Sequence, residues 1–146
     1  MNNQKTTIVL ISCSKTKDEG VHRAEDLYKG AAFKKELEYA KTLTSPDNIY
    51  ILSAKYGLVE LSERLENYDK TLLKCPQAER RQWAAKVMDQ LKAKLREKGL
   101  KEEDVHFVVL AGKKYREFLE LDDCEVPFEG LRQGELLQKL NTLNLC

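Results

Sequence analysis

Hydrophobic and polar positions follow two patterns along this chain, one typical of buried strands and one of amphipathic helices. Three continuous runs of apolar and β-branched residues, 6–12, 48–53 and 105–110, predict strands buried on both faces of a parallel sheet. A weaker candidate, 124–126, lies just before Pro127. The pattern therefore predicts about four strands.

Helical periodicity occupies the segments between these strands. Residues 31–43 place Phe33, Leu37 and Ala40 on one stripe, with Leu43 as a further candidate, and the charged residues of the segment, Glu36 among them, mostly on the other faces. Further helices are predicted from Pro76 to a cap at Gly99, over 114–121, and over 134–143. Because helices alternate with strands, we expect an α/β fold. Residues 1–146 would form a single three-layer domain with helices on both faces of a parallel sheet.

Composition narrows the functional classes. With 25 Lys and Arg against 24 Asp and Glu, the net charge of +1 excludes a polycation that coats nucleic acid. No apolar run approaches the roughly 18 residues that span a bilayer, and the amino terminus lacks a signal-peptide pattern, so we expect a cytoplasmic protein without a membrane partner. The four cysteines and two histidines lack metal-ligand spacing, so no metal or cofactor is expected. The sequence makes no prediction of oligomeric state.

Small residues and lysines follow each of the three strong strands. Because ligands of open parallel sheets bind beyond the carboxyl ends of the strands, these segments are the candidate site. The candidate ligand-binding residues there are Ser12, Cys13, Ser14 and Lys15 after the first strand, Ser53, Ala54, Tyr56 and Gly57 after the second, and Gly112 and Tyr115 after the third.

The residue types at these strand ends suit a nucleotide or a nucleic-acid base with its phosphates. Lys17 and Lys55 provide positive charge for phosphate or for a departing base, and Tyr56 or Tyr115 offers a ring for stacking. The same small residues also suit tight turns, and Cys13 also suits a buried apolar position.

Two further segments are expected near the same sheet edge. Residues 63–72 contain Tyr68 and Asp69, and Asp69 suits a general base or a partner for a ribose hydroxyl. Residues 127–134 contain Gly130 and lead into the final helix. Both segments also fit ordinary turns, in which Asp69 would only cap the local backbone.

Several of these motifs together resemble a family of small bacterial and phage proteins known as a domain of unknown function. The resemblance rests on Ser12-Cys13-Ser14-Lys15, on the stretch from Leu52 to Leu58 (LSAKYGL), and on later motifs around Tyr68, Gly112, Tyr115 and Gly130. It covers almost the whole chain.

More distantly, the chain is similar to the catalytic domain of archaeosine synthase, which carries Cys-Ser-x-x-Lys-Pro-Tyr after a strand. Cys13, Ser14 and Lys17 match this motif, whereas Asp18 and Glu19 replace its Pro-Tyr, so the lysine-transfer chemistry of that family is not carried over. The enclosing fold group resembles the uracil-DNA glycosylases, which implies a base pocket at the strand ends. Their water-activating acidic motif is not visible after the first strand.

We therefore expect an enzyme that acts on a nucleobase or its N-glycosidic bond, as a glycosylase, hydrolase or base transferase, with Lys55, Asp69 and Lys17 as catalytic candidates. The alternative is a binding protein that holds a nucleotide or modified base without turnover, for sensing or sequestration in phage–host conflict. A third class, a protein–protein adaptor, would need a flat apolar patch that the sequence does not indicate.

Overall fold

A computed structural model describes residues 5–14 and 17–144 of the chain. Its strands are β1 (Thr6–Ser12), β2 (Val21–Arg23), β3 (Ile49–Ser53), β4 (Gly57–Glu60), β5 (Arg64–Glu66), β6 (Val105–Leu110) and β7 (Cys124–Glu125). Its α-helices are α1 (Ala24–Leu27), α2 (Ala31–Leu43), α3 (Gln77–Glu97), α4 (Lys113–Arg116) and α5 (Gln133–Asn144). None of these helices is both long and apolar enough to cross a membrane.

Five strands form a mostly parallel sheet in the order β4-β3-β1-β6-β7. β1 pairs in parallel with both neighbours, so that Ile11 lies beside Ile51 on one side and Leu110 on the other. This register brings the carboxyl ends of the three long strands to one edge. The prediction of an α/β fold with a largely parallel sheet is confirmed.

The two faces of the sheet pack against different helices because successive strand residues point to opposite sides. Ile8 and Leu10 belong to a core cluster with α3, whose contribution includes Trp83. Val9 and Ile11 belong to a second cluster with α1 and α2. α5 packs beside α2, and the fold therefore has helices on both faces, as expected.

Three elements differ from the sequence prediction. Residues 57–60, for which the sequence predicted no strand, turn back as β4 and pair antiparallel with β3. β2 and β5 form a separate two-stranded antiparallel sheet that the sequence did not predict. The helix expected over 114–121 is the single turn of α4.

The turn between β3 and β4 depends on a glycine. Gly57 has a φ of +79°, which disfavours a side chain, and a Cβ at this position would lie 2.3 Å from Gln90 Oε1. The Gln90 amide holds the turn from α3, since its Oε1 accepts from the Leu58 amide at 2.8 Å and its Nε2 donates to the Tyr56 carbonyl at 3.2 Å. This contact directs the chain away from the carboxyl edge of the sheet.

Candidate functional site

A cleft of about 810 Å³ opens at the carboxyl ends of β1 and β6. Its walls come from the segment after β1, the first turn of α2, the start of α4 and residues 126–131. Apolar side chains, including Phe33, Val109 and Phe128, form much of the lining. A volume of this order suits a small ligand such as a nucleotide.

The start of α2 borders the cleft because it is held against the end of β1. The Gly30 amide donates to Ser14 Oγ at 3.2 Å, and a Cβ on Gly30 would lie 2.8 Å from the Ser14 Cβ. Residues 31–33, which line the cleft, begin a helix with no side-chain cap. Since the first amides of a helix have no intrahelical acceptor, this turn offers hydrogen-bond donors to an anionic group.

Cys13 and Tyr115 form a packed wall of the cleft. The Cys13 Sγ lies 3.5 Å from the Tyr115 hydroxyl, and the amide of Leu72 donates to the same hydroxyl at 3.3 Å. The Tyr115 ring meets Trp83 edge to face, with 5.7 Å between ring centroids. Burial, followed by the proximity of Cys13, raises the pKa of Tyr115. Tyr115 is therefore a packed wall residue of the cleft, with 7% of the residue exposed.

The rim of the cleft carries positive charge. Lys113 is exposed, and the Arg116 guanidinium lies 3.3 Å from Glu129 Oε1 and is held by the Ala111 carbonyl at 3.2 Å. Lys70, which also lines the cleft, lies 3.6 Å from Glu79. These cations suit phosphate, and Lys113 has the greatest freedom to reach it.

One carboxyl group lies inside the cleft. Glu36 lines it from the second turn of α2, and only 8% of the residue is exposed. No described residue hydrogen-bonds or pairs with this carboxyl. Burial raises its pKa from 4.5 to about 8, so the group is mostly neutral near neutral pH. The expectation that Glu36 faces away from the apolar stripe of this helix is wrong.

A second, smaller cleft of about 270 Å³ adjoins the first and shares Lys70 and Thr71 with it. Lys17 and Asp69, two of the predicted catalytic residues, line this second cleft. The Lys17 ammonium also lies 4.4 Å from the centroid of the Tyr68 ring.

The predicted site residues after β1 and β6 come together, with one outside the described structure. The predicted residues that line the main cleft are Ser12, Cys13, Ser14, Gly112 and Tyr115, together with Gly130 from the segment before α5. Lys15 lies outside the described residues. No group of three or more His, Cys, Asp or Glu side chains among the described residues could hold a metal ion.

Ser53 and Tyr68 lie behind the cleft in a chain of buried hydroxyl groups. The Tyr68 hydroxyl is 2.8 Å from Ser53 Oγ and 2.9 Å from the Tyr28 hydroxyl. Burial raises the pKa of Tyr28 to about 12 and, as the largest of several causes, raises the pKa of Tyr68 as well. Trp83 Nε1 donates to the Ser53 carbonyl at 2.8 Å. This network fixes the end of β3 and does not line either cleft.

The segment from Ala54 to Gly57 also lies outside both clefts. Ala54 is buried in the core, and Lys55 is exposed with its ammonium 5.1 Å from the centroid of the Tyr56 ring. The Tyr56 hydroxyl donates to the Glu66 carbonyl at 3.1 Å. Residues 54–56 form the tight turn at the carboxyl end of β3, and β4 then returns along the sheet, so the chain does not continue from this turn to the main cleft.

Sequence reasoning missed two parts of the site. One is the start of α2, although Gly30 before a helix that follows a buried strand is a usable signal. The other is Glu36, three residues after Phe33 and four before Ala40, a spacing that places it on the buried stripe. An acidic residue at a buried helical position was the available signal.

The fold and the cleft together define a small α/β protein with a ligand-sized cleft at the carboxyl edge of its sheet. Residues 8–142 match the model of DUF6884, a family of unknown function, and the chain belongs to this family. Membership in a domain-of-unknown-function family was expected from the sequence and is confirmed. No curated protein and no solved structure matches the chain.

Proposed function

We propose that this protein binds a nucleotide, free or within a nucleic acid, in the main cleft. The observation that carries the proposal is the combination within one cleft of about 810 Å³ of an apolar interior, a cationic rim and an uncapped helix start. A planar base suits the apolar interior, and a phosphate suits the rim and the helix amides. The resemblance to the fold group of uracil-DNA glycosylases and to archaeosine synthase supports the same choice of ligand.

Calorimetry with the full chain and the common nucleoside monophosphates tests this proposal. We expect binding by the wild type and a loss of about tenfold in Lys113→Glu, since one rim cation is replaced by an anion. Lys92→Glu, an exposed charge reversal on α3, is the matched control. Absence of binding by the wild-type protein to every nucleotide would refute the proposal.

A second proposal, hydrolysis of the N-glycosidic bond, is favoured by the adjoining cleft. There Asp69 is exposed beside Lys17, and the two clefts share Lys70 and Thr71. Asp69 would take a proton from the attacking water as it adds to the sugar carbon, and Lys17 would stabilise the negative charge on the departing base. Lys55 is not part of this proposal because it lies outside both clefts.

Incubation with nucleotides and with oligonucleotides that carry normal or modified bases tests hydrolysis through the release of free base. Asp69→Asn should lower release at least 100-fold, as expected for loss of a general base, whereas the exposed Asp89→Asn on α3 should not. If the wild type binds the nucleotide but releases no free base, the hydrolysis proposal is wrong, and the function is to bind the ligand without changing it.

A further inference from the structure

The described structure leaves one buried polar side chain in the main cleft without an assigned role. Glu36 is more than nine-tenths buried, it lines the cleft, and no described residue hydrogen-bonds or pairs with it. Polar groups in largely buried positions are usually hydrogen-bonded by another group, by water or by a ligand, and the Glu36 carboxyl lines the cleft where a ligand would bind. We propose that the Glu36 carboxyl group hydrogen-bonds the polar edge of the bound base and fixes the orientation of the base in the cleft. This inference rests on the proposed nucleotide binding.

The position of Glu36 separates it from the phosphate-binding part of the cleft. Glu36 lies on the second turn of α2, whereas the helix amides that suit phosphate belong to residues 31–33 of the first turn. The apolar residues Phe33 and Leu136 line the same cleft. A base placed among these apolar side chains would present its polar edge to the buried carboxyl.

The protonation state of Glu36 determines which hydrogen-bond donors and acceptors of a base it can pair with. Burial raises its pKa to about 8, and among the described residues no charged group adds to this effect of burial. The charged groups on the surrounding elements are Lys34 and Lys35 on α2, Glu135 and Lys139 on α5, Lys113 and Arg116 on α4, Glu129 before α5, and Lys70.

A neutral carboxyl group has one O–H donor and one carbonyl acceptor side by side. Each standard base carries an adjacent donor and acceptor on its Watson–Crick edge, and a neutral Glu36 can pair with both. The ionised group has only acceptors and loses one of the two hydrogen bonds.

Calorimetry with AMP, CMP, GMP, UMP and dTMP at two pH values tests the role of Glu36. Between about pH 6.5 and pH 8.5 the wild-type affinity for the preferred nucleotide should fall about fourfold, because a group with a pKa near 8 becomes mostly ionised. Glu36→Gln keeps a donor and an acceptor but does not titrate, so its affinity should not change with pH. Glu36→Leu removes both and should weaken binding about 10- to 100-fold.

The matched control is Glu38→Gln, an exposed position on the same helix, which should follow the wild type at both pH values. Thermal unfolding shows whether each variant is folded, and if Glu36→Leu is not, the pH dependence of Glu36→Gln decides. Unchanged affinity in Glu36→Leu, or the same pH dependence in Glu36→Gln as in the wild type, would overturn this inference alone. A wild-type protein that binds no nucleotide would instead overturn the proposed function, and this inference with it.

Discussion

The buried carboxyl of Glu36 makes a prediction about stability that needs no ligand. The perturbation is Glu36→Gln, which replaces the acid by an amide of nearly the same shape and removes its titration. In the unfolded chain the group titrates near 4.5, whereas burial raises its pKa in the folded chain to about 8. The folded protein therefore holds its proton more tightly than the unfolded protein does.

The sign of the effect follows from linkage between proton binding and folding. Below the unfolded pKa of 4.5 both states are protonated, and the full stability is present. As the pH rises from 4.5 to about 8, the unfolded state ionises while the folded state does not, so stability is lost across this window. Above it both states are ionised, and the loss remains constant.

The size of the effect follows from 1.36 kcal/mol for each pKa unit. At pH 7, with pKa values of 4.5 unfolded and about 8 folded, the wild-type protein loses on the order of 3 kcal/mol relative to acid pH. The free energy of unfolding of Glu36→Gln minus that of the wild type should therefore grow by about 4 kcal/mol between pH 5 and pH 8.5.

Urea unfolding followed by circular dichroism at several pH values measures this difference. Every other titrating group is common to both proteins and cancels, and the exposed Glu38→Gln variant controls for the loss of one surface carboxylate. A difference that stays constant from pH 5 to pH 8.5, or a Gln variant that becomes relatively less stable at high pH, would refute the assignment of Glu36 as a buried neutral acid.

Three further predictions concern the framework of the cleft. Gly30→Ala places a Cβ 2.8 Å from the Ser14 Cβ, so we expect a loss of about 1–3 kcal/mol in urea unfolding, and an unchanged midpoint would contradict this close contact. Gln90→Ala leaves two backbone groups of the β3–β4 turn without their side-chain partner and should lower the free energy of unfolding by about 1–3 kcal/mol. Thermal unfolding measures this loss, and a variant as stable as the wild type would show that water replaces the amide. Tyr115→Phe removes the hydroxyl that contacts the Cys13 thiol, and alkylation of Cys13 by iodoacetamide should become faster, whereas an unchanged rate would show that the contact does not limit the thiol.

The sequence predicted the parallel core well because continuous apolar runs leave few alternatives to buried strands. The strands at Thr6–Ser12 and Val105–Leu110 and the helix at Ala31–Leu43 agree with the prediction in both bounds, and the weak fourth strand is present as Cys124–Glu125. β2 and β5 were missed because each has three residues, mostly polar, and their pairing joins segments far apart in the chain.

The candidate site was predicted in part, for a topological reason. Cys13 and Gly112 meet because parallel neighbours bring their carboxyl ends to one edge. Lys55 does not join them because β3 is followed by an antiparallel strand, and the turn at Gly57 directs the chain elsewhere. Whether the segment after β3 reaches the cleft depends on what residues 57–60 pair with, and the local sequence does not reveal that partner. Glu36 was misplaced because its charge was given more weight than its helical position.

Cys13 contacts both hydrophobic clusters, one on each side of the sheet. At most positions in a layered fold, a change in side-chain volume is absorbed by a single layer. At Cys13 the two layers share a boundary, so a change in side-chain volume there alters the packing above and below the strands as well as the wall of the cleft. A substitution at Cys13 should therefore affect the packing of both hydrophobic clusters. We expect it to change the NMR chemical shifts of methyl groups on both faces of the sheet.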